Sequence, residues 1–213
     1  MKKAEITGFC ARLEGVYEGE EGGDYFRHRE RGSTMYFGAA YPTIDSRGST
    51  ACARLLDITM DSFLGRPAVI DEAMIQIAGF AARSIYALQK PGEEAFAHGA
   101  VLFLHKGSAR FLLSGSAKGC LYEDRKKICE FGGEDAPLIG SSLRRMEDPL
   151  PALELGSGLL EACLCAGPGT VSFPEEKAEG SLRNFMEGLY QEREGWVSLL
   201  GVQIGSRQKK GLF

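Results

Sequence analysis

The spacing of apolar residues changes twice along this chain. Glu5 to Leu13 alternates loosely and predicts a strand, while Glu14 to Gly23 is acidic and glycine-rich and predicts a loop. Asp24-Tyr-Phe26 is expected to begin a second strand. The cluster Arg27 to Ser33 is polar enough to predict a solvated turn, in preference to an anion site, and Thr34 to Tyr41 returns as a buried strand ending at Pro42. From Ser49 the period becomes helical, with Cys52, Leu56, Met60 and Phe63 on one stripe and Leu55 and Thr59 beside it. Gly65-Arg66-Pro67 breaks that helix, and Ile70, Met74, Ile77, Ala81, Ile85 and Leu88 mark a second that stops before Pro91-Gly92.

Strands follow. Ala100 to Leu104 and Ala109 to Leu113 flank the turn at Lys106-Gly-Ser108 and predict a buried hairpin. Its exit, Gly115-Ser116-Ala117-Lys118-Gly119, is the natural place for a site, yet it offers no carboxylate, histidine or cysteine. Gly119 to Glu123 and Lys127 to Phe131 predict two further strands around Asp124-Arg-Lys126. Gly132 to Pro151 is a turn-rich insertion with a basic pair, Arg144-Arg145. Leu159 to Cys165 predicts a buried strand ended by Ala166-Gly167-Pro168-Gly169. Pro174-Glu-Glu-Lys is expected to start a helix, a second helix is expected over Ser181 to Glu192, and Trp196 to Ile204 is expected to close the fold as a buried strand. Ser206 to Phe213 is expected to be a flexible tail. Blocks of strands and helices, without strict alternation, indicate an α+β domain with antiparallel sheets.

Composition narrows the classes. A chain of 213 residues, 44% apolar, fits one domain over 1–213 with a full core. A net charge of -4 argues against nucleic acid, whose phosphates call for a basic surface. The apolar runs are strand-sized and the N-terminus lacks a signal-peptide core, which predicts a soluble cytoplasmic protein without a membrane role. The six cysteines are dispersed and are expected to be mostly reduced core thiols. Cys163-x-Cys165 lacks the second pair or histidine that a zinc site requires. No GxxxxGK[ST], GxSxG or HExxH motif occurs, and the three histidines are scattered.

Four turns carry a resemblance. Phe37-Gly-Ala-Ala40 followed by Tyr41-Pro42, Gly115 to Leu121, Cys163 to Pro168, and Gly195 to Leu199 stand in the order and spacing of the signature turns of the metal-dependent, type 2C serine/threonine phosphatases. The chain resembles that family over nearly its whole length. The resemblance implies a four-layer α/β/β/α sandwich, two antiparallel sheets flanked by pairs of helices. It also sets Tyr41, Ser116, Gly167 and Gly195 where the family has aspartates. Gly22-Gly23-Asp24 is similar to the family's Asn-Glu-Asp, so one acid survives, and Gly19 falls near the family's phosphate-holding arginine.

A pair of divalent ions at about 3.5–4 Å separation needs several oxygen ligands with carboxylates among them. Asp24 and a tyrosine do not balance that charge, so no metal cofactor is expected and Asp24 and Asp45 are only weak metal candidates. The resemblance therefore implies a pseudophosphatase. Such a domain would act as a protein-binding or regulatory signalling module, with a phosphoprotein as one candidate partner. The alternative is a divergent manganese- or magnesium-dependent phosphatase acting on phosphoserine or phosphothreonine, with Asp45, Asp57 or Asp61 swinging into the site.

Overall fold

The structure, a computed structural model, describes residues 2–10, 13–17, 25–42, 48–65, 70–91, 95–132, 138–139, 153–154 and 159–206. Two antiparallel sheets stack face to face. One contains β1 (Lys2–Cys10), β2 (Leu13–Tyr17), β7 (Lys118–Glu123), β8 (Lys126–Gly132), β10 (Leu160–Ala166) and β11 (Ser198–Ser206), in the order β2-β1-β11-β10-β7-β8. The other contains β3 (Phe26–Arg31), β4 (Thr34–Pro42), β5 (Ala97–His105), β6 (Ser108–Ser114) and β9 (Leu153–Glu154), in the order β3-β4-β5-β6-β9. Helices α1 (Gly48–Gly65) and α2 (Ile70–Tyr86) cover the five-stranded sheet. The six-stranded sheet is covered by α3 (Leu182–Gln191). The layers are those of an α/β/β/α sandwich.

Burial follows from that stacking. Every residue of β4 is buried because one face meets the other sheet and the opposite face meets α1. Cys52, Leu55, Leu56, Thr59, Met60 and Phe63, the stripe read from the sequence, are all buried. Phe63 stacks on Phe103 of β5 at 3.8 Å between ring centroids. Tyr36 of β4 donates its phenol to Leu56 O at 3.1 Å and lies 2.8 Å from Thr59 Oγ1. These bonds satisfy a hydroxyl inside the core, where an unmade bond would be costly.

The strands β7, β10 and β11 are apolar on both faces. Leu121, Ala162, Leu164, Leu200 and Val202 join the core between the sheets. Cys120, Tyr122, Cys163, Cys165, Val197 and Leu199 point outward into a second core completed by Phe9, Val171, Phe173 and the α3 residues Leu182, Met186 and Leu189. Ser181 caps α3, its Oγ accepting the Asn184 N–H at 3.2 Å.

Four expectations are corrected. Glu14 to Tyr17, where the acidic, glycine-rich composition suggested a loop, belongs to the strand Leu13–Tyr17 paired with β1. Arg27 to Arg31 is an edge strand, and only Gly32-Ser33 turns. Its charges are accommodated by α1: Arg27 Nε meets Asp57 Oδ1 at 2.9 Å, Arg29 Nη1 lies 3.7 Å from Asp61 Oδ1, and Arg31 donates to Leu64 O. Pro174 starts no helix. Lys127 N–H bonds Glu175 O and Lys177 N–H bonds Arg125 O, so this segment adds to the β7–β8 turn. Trp196 precedes β11 and is 57% exposed. Most of the insertion and the tail beyond Ser206 lie outside the described residues.

Candidate functional site

One end of the sandwich gathers the turns singled out in the sequence. Tyr41 and Pro42 close β4, Gly115 to Ala117 carry the chain from β6 into β7, Gly167 follows β10, and Gly195 shortly precedes β11. Strand register places them together: Tyr41 lies opposite His98, Gly99 opposite Ser114, Cys165 opposite Lys118 and Ala166 opposite Ser198. Asp24 and Asp45 lie outside the described residues. Asp57 and Asp61 instead face the β3 arginines.

Tyr41, His98 and Ser116 form one group. Both rings are buried, and Tyr41 stands 6.5 Å from Tyr25 between centroids. His98 Nδ1 accepts the Ser116 N–H at 3.1 Å, which leaves the proton of the neutral ring on Nε2. Gly115, at φ +65°, passes so close that a Cβ would stand 2.5 Å from His98 Nδ1. Burial pulls the His98 pKa down to about 4, because the charged form loses its hydration. The ring is therefore neutral near pH 7. Scattered histidines such as His98 carry no motif in the sequence. The available signal was its place between Ala97 and Gly99 in an otherwise apolar run.

The second group is made of backbone. Gly167 has φ +145° and Gly195 has φ +81°, conformations that L side chains rarely adopt. A Cβ on Gly167 would stand 2.3 Å from Trp196 O, and one on Gly169 would stand 2.4 Å from Glu194 O. Hydrogen bonds hold these two loops at that distance. Gly169 N–H donates to Trp196 O at 3.0 Å, while Thr170 and Glu194 exchange N–H···O bonds of 2.8 and 3.0 Å. A recess of about 250 Å³ opens beside them, lined by Pro168, Gly169, Thr170, Glu194, Gly195 and Trp196.

No protein-family profile and no curated protein matches the chain. Solved structures do. A bacterial serine phosphatase aligns with a TM-score of 0.69 and 9% identity, over 97% of this chain and 100% of that one. The catalytic domain of the serine/threonine phosphatase PstP, in complex with two manganese ions, aligns with 0.65 and 9% identity over 96% and 99%. The S. agalactiae serine/threonine phosphatase aligns with 0.62 and 9% identity over 97% and 100%. The chain has the type 2C phosphatase fold.

Within that fold, the described residues at this end offer a phenol, two hydroxyls, a histidine whose Nδ1 is already engaged, glycines and a single carboxylate, Glu194. Among the described residues no three His, Cys, Asp or Glu side chains come together to hold a metal. That donor set does not fit a pair of divalent ions, which need several carboxylate oxygens where these residues supply one side chain. Nor does it make a nucleophile: Ser116 Oγ has no base as a hydrogen-bond partner among the described residues. The thiols of the second core are no better suited. Burial pushes Cys120 and Cys165 up to about 12 and Cys163 well above its ordinary value, so thiolate is scarce at neutral pH. Cys163 Sγ packs 3.6 Å from Met186 Sδ.

The glycine geometry gives a direct prediction. Gly167→Asp does not create a metal ligand, because the new Cβ would collide with the Trp196 carbonyl. The expected result is a loss of about 2 kcal/mol in chemical denaturation, with no gain in manganese affinity by calorimetry. A stable variant with tightened manganese binding would contradict the close-packed geometry.

Proposed function

We propose that this chain is a catalytically impaired type 2C phosphatase-like domain that serves as a protein-binding or regulatory module. The observation that carries the reading is the backbone at Gly167 and Gly195. Both positions, which the resemblance sets against aspartates, hold positive-φ glycine, and at Gly167 the Trp196 carbonyl of the neighbouring loop fills the space a side chain would need. Without carboxylates at these two turns a metal pair lacks charged ligands there, and phosphorus has no metal-generated nucleophile at neutral pH. The partner is a protein, with a phosphoprotein as the natural candidate for a domain of this shape.

A second reading is favoured by the manganese-bound neighbour: a divergent manganese- or magnesium-dependent serine/threonine phosphatase using Asp24 and Asp45. Calorimetric titration of the full chain with Mn²⁺ and Mg²⁺, with phosphate release from phosphoserine and phosphothreonine peptides measured in parallel, separates the two. The proposal expects no tight two-ion binding and no release above the protein-free rate. Tight uptake of two ions together with peptide dephosphorylation would replace it with the enzyme.

A further inference from the structure

We infer that the recess beside Trp196 takes a single basic side chain, lysine or arginine, from a protein partner. This deepens the binding-module reading and rests on it in one respect, that a partner protein exists. Trp196 is the only tryptophan in the chain and more than half of it is in solvent. Its backbone is nonetheless fixed, with Trp196 O held by Gly169 N–H and the flanking Thr170–Glu194 pair doubly bonded. An exposed aromatic on a rigid support loses little freedom when a ligand arrives.

The chemistry of the lining selects the ligand. An indole face carries negative electrostatic potential and attracts an ammonium or guanidinium, and tryptophan is the strongest of the aromatic side chains in this role. Glu194 lines the same recess, and its carboxylate has no ion-pair partner among the described residues. The neighbouring cation does not neutralise it: Arg193 lies 3.8 Å over the Tyr190 ring and donates to Tyr190 O at 2.6 Å. Pro168 and the glycines supply an apolar wall for a methylene stem. A phosphate would meet Glu194 and find no cationic side chain in the lining. At about 250 Å³ the recess is smaller than the usual small-molecule pocket of roughly 300–1,000 Å³ and suits one side chain.

The sole tryptophan makes the test direct. The full chain is titrated with a capped lysine peptide, its arginine counterpart and the same peptide carrying acetyl-lysine, following tryptophan emission. Saturable change is expected with lysine and arginine, weakened about three-fold or more by Glu194→Gln and by added salt, with no saturation by acetyl-lysine. Anisotropy of a labelled lysine peptide reads Trp196→Ala independently and is expected to show a loss of about five-fold. A silent tryptophan, an equal response to acetyl-lysine, or binding unchanged in both variants would overturn the inference. A chain that dephosphorylates peptides yet keeps the lysine response overturns only the binding-module reading; an inactive chain with a silent tryptophan overturns only this one.

Discussion

Lys177→Met is expected to destabilise the protein by about 3–5 kcal/mol in urea unfolding at pH 7. Lys177 and Glu161 are 3% and 1% exposed at the side chain and form a direct ion pair within the second core. Glu161 Oε1 also accepts from Gln203 Nε2 at 2.6 Å, and the Lys177 ammonium lies 5.5 Å from the Phe185 ring centroid. Removing the lysine leaves a carboxylate in the interior with one amide to stabilise it. The loss reports that stranded charge more than the worth of the pair, since bringing both ions out of water was itself unfavourable. Lys177→Met combined with Glu161→Leu is accordingly expected to recover most of the stability. A single-variant loss below about 1 kcal/mol would show that water reaches this carboxylate.

Acid is expected to weaken the fold through His98. Its folded pKa of about 4 lies below the unfolded value of about 6.5, so between these pH values the unfolded chain binds more protons than the native one. Stability therefore rises with pH across that window, and its His98 component is fully present above it and lost as pH falls through it. The shift corresponds to about 3 kcal/mol. Protonation would also turn Nδ1 from acceptor to donor and break its bond with the Ser116 N–H. His105 shifts in the same direction, but it is only partly buried at the end of β5, so solvent screens its share. His98→Asn retains an acceptor without titrating, so the difference between wild type and variant in urea stability should narrow from pH 7 to pH 4. Parallel profiles would remove His98 from the account.

The fold was legible where spacing alone decides structure. The α1 stripe, the β5–β6 hairpin and the order of blocks all follow from local apolar period. The failures were at places where distant partners decide. Arg27 to Arg31 reads as a turn until Asp57 and Asp61 are brought alongside it by α1. Leu13 to Tyr17 holds its strand conformation by pairing with β1, against a composition rich in glycine and glutamate. Pro174 and the acids after it satisfy local rules for a helix start, but their backbone bonds go to the β7–β8 turn. At the candidate site the absence of acids from the four turns was legible. The closing of the Gly167 and Gly195 loops onto each other was not, because a glycine in a sequence does not reveal whether its missing side chain leaves a vacancy or another loop's carbonyl.

The outward face of β7, β10 and β11 has a consequence for oxidation. Cys120 and Cys163 sit directly opposite each other there, with Cys165 beside them, under α3 and the Val171–Phe173 segment. The core between the sheets is built from other residues and does not shield them. Their chemical lifetime in an oxidising medium is therefore set by how often the α3 layer lifts, an event that can occur while the two-sheet sandwich remains intact.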